Sequence, residues 1–164
     1  MRPQRRSGGT GWLLVALLLV WLAARAAPGH ATAPAVSPGA AKAVAYARAQ
    51  VGKPYAWGTE GPGAFDCSGL AWAAWRHAGL GWERMTAADQ WHALRGRSVR
   101  RGALRPGDLV FFAYRPGDWR SVHHVAVYVG GGRMVEAPHS GALVRLASVD
   151  RSGWFGAARP LGGR

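Results

Sequence analysis

The sequence predicts an α+β domain in which helices come first along the chain and an antiparallel sheet follows. Two observations support this class. Between residues 40 and 94, helix-forming residues place apolar side chains at helical spacing. After the turn sequence RPGD at 105–108, the pattern changes to short apolar runs separated by Gly- and Pro-rich turns, which is typical of strands. Helices followed by strands are the pattern of an α+β fold.

Three helices are predicted. The first spans about residues 40–51 and stops at Gly52. The second begins at Cys67 and ends at Gly79, a residue type suited to the position after a helix C-terminus. The third is short and lies in TAADQWHAL. The side chains expected to cap the second and third helices are Asp66 and Thr86.

The sheet is expected to contain five short strands, each rich in β-branched or aromatic residues and bounded by turns. No internal repeat is visible, so we expect a single domain. The predicted strand ranges are 109–114, 122–129, 133–137, 142–146 and 154–159.

The N-terminus has the three parts of a secretory signal peptide: a basic start, the apolar run GWLLVALLLVWLAA, and small residues in A-x-A spacing. We therefore expect a signal peptide over residues 1–27, an Ala/Pro-rich linker over 28–39 and the domain over 40–164. The product would be secreted, and extracellular or cell-wall associated. The apolar run is shorter than the roughly 20 residues of a membrane span, although an uncleaved N-terminal anchor is the alternative.

The chain is strongly basic. Its formal net charge is +13, and the four arginines of the expected leader contribute four of this, which leaves +9. Such an excess attracts polyanions, here anionic cell-wall polymers or membrane surfaces; a merely soluble arginine-rich surface is the other interpretation. No basic run alternates with stacking aromatics, so we expect no nucleic-acid binding. The single cysteine excludes an internal disulfide framework.

Cys67, that single cysteine, lies at the start of a predicted helix. The N–H groups and the positive dipole at a helix N-terminus favour a thiolate. Gly69 and two glycines upstream are expected to let the backbone approach a substrate. The other interpretation is an inert, buried cysteine, because free cysteine is among the most buried residue types. A nucleophile also needs a base, and the base needs a group that orients it.

His123 and His124 are the candidates for the base. Successive side chains on a strand point to opposite faces, so only one of the two can meet Cys67. His123 shares its face with three valines that belong in a core, whereas His124 faces the less apolar side. Histidines in the predicted helices and the linker are better explained as polar surface residues: His30, His77 and His92.

Glu136 is the candidate for the orienting group, and the hairpin register decides its position. If residues 130–132 form a three-residue loop, Val129 pairs with Arg133. Glu136 then lies on the same face as His124, at a diagonal distance that long side chains can span. These groups would supply the nucleophile, base and orienter of cysteine acyl-transfer chemistry.

A two-residue loop would give the other register. It would place Glu136 on the valine face and turn His139 toward His124. A carboxylate on a core face is costly, and this cost favours the first register. The remaining interpretation is that the thiol, imidazole and carboxylate are unrelated in function.

The motifs VGKPYAWGTEGPGAFDCSGL, RPGDLVFF and HVAVYVGGGRMVEAPHSG together resemble the NlpC-type family of papain-like cell-wall peptidases. The resemblance runs from about residue 40 to the C-terminus. It implies a papain-like core with N-terminal helices packed on an antiparallel sheet. It also implies a cysteine nucleophile, a histidine base and a third polar residue twelve positions after that histidine, here Cys67, His124 and Glu136. Many members have histidine at the third position, and glutamate is a family alternative.

The resemblance also implies substrate contacts near the thiol. Tyr55 matches a tyrosine whose hydroxyl helps to hold the oxyanion together with the Cys67 backbone N–H. Asp66 and Ser68 match positions that bind the free amine of a peptide stem, and Thr86 matches a further polar subsite residue. Helix capping is an additional or alternative role for Asp66 and Ser68.

The implied activity is hydrolysis of an amide in the stem peptide of peptidoglycan, most often between D-γ-glutamate and the diamino acid. We expect a monomer that needs neither a cofactor nor a metal ion. Two alternatives remain: an acyl transferase with the same three residues, and a wall-binding module without activity.

Overall fold

The structure, a computed structural model, describes residues 35–160. The predicted signal peptide and most of the predicted linker lie outside these residues. The three predicted helices are confirmed close to their expected bounds, as α1 (Pro38–Ala49), α2 (Cys67–His77) and α3 (Ala87–Leu94). None of the helices within residues 35–160 is long and apolar enough to cross a bilayer.

Side-chain caps fix where the helices begin. Ser37 Oγ accepts from the Ala40 N–H at 3.2 Å, so α1 starts at Pro38 rather than at residue 40. Asp66 caps α2 and Thr86 caps α3, as the sequence predicts. The side chain of Asp66 therefore sets the backbone at the first residue of α2, which is Cys67.

A six-stranded sheet follows, and all of its neighbouring strands are antiparallel. The strand order is β1-β6-β2-β3-β4-β5. Helices on an antiparallel sheet, with the cysteine at the start of a helix, confirm the predicted fold class. The strands are β1 (Ser98–Val99), β2 (Leu109–Ala113), β3 (Val122–Gly130), β4 (Arg133–Glu136), β5 (Arg145–Ser148) and β6 (Trp154–Ala158).

The predicted strand at 142–146 is misplaced, because β5 begins at Arg145. The preceding residues pair with the loop before α2 instead: Val144 donates to the Lys53 carbonyl at 2.8 Å and accepts from the Gly52 N–H at 2.9 Å. The short edge strand β1 was not predicted. These pairings connect segments far apart in sequence, and no local period encodes them.

Both faces of β3 are buried. Val125, Val127 and Val129 face the helices in the main core, and Ala126 and Tyr128 belong to a second, smaller cluster on the other side of the sheet. His124 therefore lies on the less apolar of the two faces, as predicted, although this face has a small hydrophobic cluster of its own. His124 is buried in that layer and His123 is exposed.

The hairpin between β3 and β4 has the predicted register in its body, where Val127 pairs with Val135. Its loop is shorter than expected. Gly130, and not Val129, pairs with Arg133, and a bulge between Tyr128 and Gly130 absorbs the extra residue. The bulge keeps Glu136 on the face of His124 although the loop has two residues.

Gly69 permits a close approach between α2 and the preceding loop. A Cβ atom at this position would lie 2.1 Å from the Thr59 carbonyl oxygen. That oxygen also accepts from the Asp66 N–H at 2.8 Å. The expectation that Gly69 makes room for a substrate is therefore wrong: it makes room for the loop that positions the start of α2.

Candidate active site

Cys67 lies at the start of α2 with only 8% of its surface exposed. Its Sγ is 4.0 Å from the carbonyl oxygen of His123, and the N–H of Val125 also points to the sulfur. These backbone groups belong to the residues on either side of His124. Packing of α2 against β3 thus brings the thiol to the strand position that carries the candidate base.

Burial raises the pKa of the Cys67 thiol, and the negative charge of Asp66 raises it further. The N–H groups of Val125 and Ser68 and the charge of Arg84 act in the opposite direction without outweighing burial. The Ser68 N–H at the helix start favours the thiolate, as predicted, but burial outweighs it. A base must take the proton before the sulfur can attack.

His124 and Glu136 form a buried pair. Nε2 of His124 lies 2.8 Å from Oε2 of Glu136, and the side chains are 5% and 0% exposed. An ionised carboxylate only accepts hydrogen bonds, so Nε2 carries the proton in the neutral imidazole. Nδ1 is then the ring nitrogen with a free lone pair, and it can accept a proton.

Two arginines hold the carboxylate of Glu136 from the other side. Arg145 donates from Nε to Oε1 at 3.0 Å, and Arg151 donates from Nη1 to Oε2 at 2.8 Å. Burial alone raises the pKa of the Glu136 carboxyl, but the hydrogen bond and charge of His124, with those of the two arginines, lower it to about 2. Glu136 is therefore ionised at any pH at which the protein would work, and it shares its charge among three partners.

Asp66 is a second buried carboxylate, next to the thiol. It accepts from the N–H groups of Gly69 and Gly58 at 2.6 and 2.8 Å. Arg84 binds both of its oxygens at 2.7 Å, and the Ser68 hydroxyl lies 3.1 Å from one of them. Arg84 also donates to the Ser68 hydroxyl at 2.9 Å. A cation of the chain itself thus occupies the carboxylate that the resemblance assigns to a substrate amine.

Tyr55 and Thr86 border the two cavities next to the thiol. Burial, then the charges of Cys67 and Asp66, raise the pKa of the Tyr55 hydroxyl, so it remains protonated and can donate. Thr86 is exposed; its hydroxyl accepts from the Asp89 N–H at 3.2 Å and donates to the Asp89 carboxylate at 2.7 Å. Capping of α3 accounts for both of these contacts of Thr86.

Two cavities flank the site. One of about 520 Å³ borders Cys67, Ser68 and Thr86, and the other, of about 470 Å³, borders Tyr55 and His124. Both also contact His123 and two exposed aromatic side chains, Trp57 and Tyr114. The thiol and the imidazole therefore lie where a cleft formed by two adjoining cavities could hold an extended chain. Within residues 35–160, no group of three His, Cys, Asp or Glu side chains could hold a metal ion.

Sequence reasoning missed three arginines of this site: Arg84, Arg145 and Arg151. Arg145 is the residue of β5 that pairs with Glu136 of β4, a pairing that the misplaced fifth strand concealed. Arg84 and Arg151 lie in irregular segments, where no period shows which way a long side chain points. The two carboxylates that they bind were found because each sits next to a recognisable motif.

The arrangement matches known proteins. The model of the NlpC/P60 family matches residues 52–158, which include the thiol, the imidazole and the carboxylate. The chain belongs to the NlpC/P60 family.

Relatives in the NlpC/P60 family support this membership. The protein named "Probable endopeptidase p60" of Listeria monocytogenes is 37% identical over 111 residues, covering 68% of this chain and 21% of that protein. "Murein DD-endopeptidase MepH" of Escherichia coli is 36% identical over 106 residues, covering 64% of this chain and 38% of that protein. The chain thus spans well under half the length of these relatives.

Solved NlpC/P60 structures share the fold. The crystal structure of an NlpC/P60 family protein from Bacillus cereus superposes with a TM-score of 0.69 at 30% sequence identity. The match covers 77% of this chain and 42% of that one. The helices and the antiparallel sheet described above are therefore those of the family.

Proposed function

We propose that this protein is a cysteine endopeptidase that hydrolyses an amide in peptidoglycan stem peptides, at the bond between D-γ-glutamate and the diamino acid. The observation that carries the proposal is the buried His124–Glu136 pair together with the thiol at the start of α2, which packs against the backbone of the residues on either side of His124. Relatives named as endopeptidases, one of them a murein endopeptidase, support the reaction class and the polymer. The resemblance in the motifs supports the particular bond.

In the first half of the proposed reaction, Nδ1 of His124 takes the proton of Cys67 as the substrate enters. The thiolate attacks the amide carbonyl and forms a tetrahedral oxyanion, which the Tyr55 hydroxyl and the Cys67 N–H stabilise. His124 then gives its proton to the departing amine. Glu136 holds the imidazole in one tautomer and stabilises the imidazolium between these steps.

In the second half, His124 draws a proton from water, and the hydroxide attacks the thioester carbon. Collapse of this second intermediate breaks the C–S bond, returns the proton to sulfur and releases the acyl half. Because burial raises the pKa of the thiol, the free protein holds little thiolate at neutral pH. Cys67 therefore needs His124 both to remove its proton before attack and to return it when the C–S bond breaks.

We further propose that the protein acts outside the cell as a monomer, where its basic surface retains it on anionic cell-wall polymers. The segment between α3 and β2 carries five exposed arginines, which supports this partner. They are Arg95, Arg97, Arg100, Arg101 and Arg105.

Mass spectrometry of defined stem peptides and purified muropeptides, incubated with the protein and with Cys67→Ala, tests the function. The substrates should contain both the γ-glutamyl bond and a cross-link between D-amino acids, since a relative is named for the latter class. We expect a cut at the γ-glutamyl bond by the wild type and none by Cys67→Ala.

Other outcomes of that experiment would overturn parts of the proposal. A cut only at the cross-link would correct the bond, and products joined to an added amine would indicate a transferase. No cut of any substrate would favour a wall-binding module. A cut that survives Cys67→Ala would exclude the thiol mechanism.

A further inference from the structure

The cavity beside His124 carries an excess of positive charge. Arg145 and Arg151 both border it, together with the exposed His139. Among the residues of the described chain that line it, none is an aspartate or a glutamate. Glu136 lies beneath this surface with no exposed area, so solvent or a ligand meets the arginines and not the carboxylate.

Each arginine uses only one of its nitrogen atoms to bind Glu136. Arg145 uses Nε and Arg151 uses Nη1. Within residues 35–160, the other N–H groups of these two guanidiniums have no hydrogen-bond acceptor. The Arg145 side chain is 53% exposed and that of Arg151 33%, so the unused donors can meet a ligand in the cavity.

The charges of Arg145, Arg151 and Glu136 do not balance. Two guanidiniums share the one negative charge of Glu136, which leaves one positive charge at the cavity wall. The cavity on the other side of the thiol differs: its guanidinium, Arg84, binds Asp66 on both oxygens and lies 3.2 Å from Glu60. An anionic ligand would therefore be attracted to the His124 side of the cleft and not to the Cys67 side.

The proposed reaction determines which half of the substrate enters this cavity. His124 must hand its proton to the departing amine, so the residue that carries this amine lies on the side of the imidazole. The other cavity borders Cys67 and Ser68 but not His124, and it suits the acyl half. This step depends on the proposed hydrolysis.

We propose that Arg145 and Arg151 form a subsite for a free carboxylate on the amine-side residue of the substrate. A guanidinium presents a planar pair of donors that matches a carboxylate, and such charge-assisted bonds are about twice as strong as neutral ones. The carboxylate is either the α-carboxylate of a chain-terminal residue or one at the end of its side chain. A substrate amidated at that carboxylate would lose the contact.

Binding to a Cys67→Ala parent tests the subsite without turnover. Two pairs of stem peptides are compared by calorimetry: one pair differs in carboxylate or carboxamide at the α-position of the amine-side residue, the other at the end of its side chain. In at least one pair we expect the carboxylate form to bind about tenfold more tightly or better. Adding Arg145→Gln or Arg151→Gln should reduce that preference to about threefold or less.

The preference within each variant is the decisive quantity, because both arginines also hold Glu136 and their loss will change catalysis for another reason. Arg133→Gln, an exposed arginine of β4 outside the cavity, is the matched control and should keep the full preference. Equal binding of both forms in both pairs would overturn the subsite, as would a preference that survives in both arginine variants. Cleavage by the wild type is scored separately, so failure of the hydrolase and failure of the subsite are distinct results.

Discussion

Asp66 and Glu136 are both buried carboxylates bound by arginine, yet they hold different halves of the active site. The partners of Asp66 are a permanent cation, a hydroxyl and backbone N–H groups at the start of the nucleophile's helix. Glu136 also binds arginine, but one of its bonds goes to His124, the base of the proposed reaction. Similar burial and similar ion pairs therefore hold a fixed backbone in one region and, in the proposed reaction, stabilise a histidine that gains and loses a proton in the other.

The largest effect that separates the two regions is expected at the base. His124→Ala should lower kcat/KM by about 10³-fold or more, because the buried thiol then has no proton acceptor. His123→Ala, one residue earlier and exposed, is the matched control and should cost less than about tenfold. Steady-state cleavage of a stem peptide measures both. A larger loss of kcat/KM in His123→Ala than in His124→Ala would show that His124 is not the base.

Asp66→Asn should mainly destabilise the fold. It removes the charge that binds Arg84 through both oxygens and leaves Arg84 with only the half-exposed Glu60, at a cost of about 2–4 kcal/mol in the free energy of unfolding. Denaturant unfolding measures this loss. Unchanged stability together with a raised KM would instead support the substrate-amine role that the resemblance assigns to Asp66.

The loss of stability at acid pH should reveal the contribution of the ionised Glu136 carboxylate. Folding lowers the pKa of this carboxyl from 4.5 to about 2, so the ionised form stabilises the folded state above about pH 5, and this contribution is lost as the pH falls from 4.5 towards 2. At neutral pH it amounts to about 3 kcal/mol. The difference in melting temperature between wild type and Glu136→Gln should therefore shrink as the pH drops toward 2. A difference that stays constant with pH would show that the charge is not what stabilises this region.

The smallest effect is expected at Thr86, at the rim of the Asp66 region. Thr86→Ala removes the cap of α3 and should cost about 1 kcal/mol of stability, while Thr86→Ser should restore most of it. Thermal unfolding and KM for a stem peptide are measured together. A KM that rises in Thr86→Ala without a loss of stability would make Thr86 a subsite residue rather than a cap.

The sequence predicted the parts of this site that local rules govern. The position of Cys67 follows from a capped helix, and the pairing of His124 with Glu136 follows from strand alternation and a hairpin. The hairpin prediction reached the correct face although the loop has two residues, because a bulge next to Gly130 compensates for the missing one.

The parts that depend on tertiary contacts were not predictable in the same way. The guanidiniums of Arg84, Arg145 and Arg151 reach carboxylates on other elements, and long flexible side chains carry no period that reveals this. The net rise in the pKa of the Cys67 thiol was also not predictable, since a helix N-terminus is a local feature and burial against β3 is not. Long-range packing thus sets the charges and pKa values of the site, whereas local sequence patterns were enough to identify Cys67, His124 and Glu136.

One comparison tests most directly the claim that Glu136 acts on the chemistry rather than only on the fold. Asp108 is an equally buried carboxylate, bound by Arg159 at 2.7 and 2.9 Å, and it contacts no histidine within the described residues. We would measure kcat and its pH profile for Glu136→Gln and Asp108→Asn at a temperature at which both are folded. We expect kcat to fall by about 10²-fold or more in Glu136→Gln with an altered pH profile, and by less than about twofold in Asp108→Asn. Equal losses in the two variants, or a wild-type kcat and pH profile in Glu136→Gln, would contradict the catalytic role of Glu136.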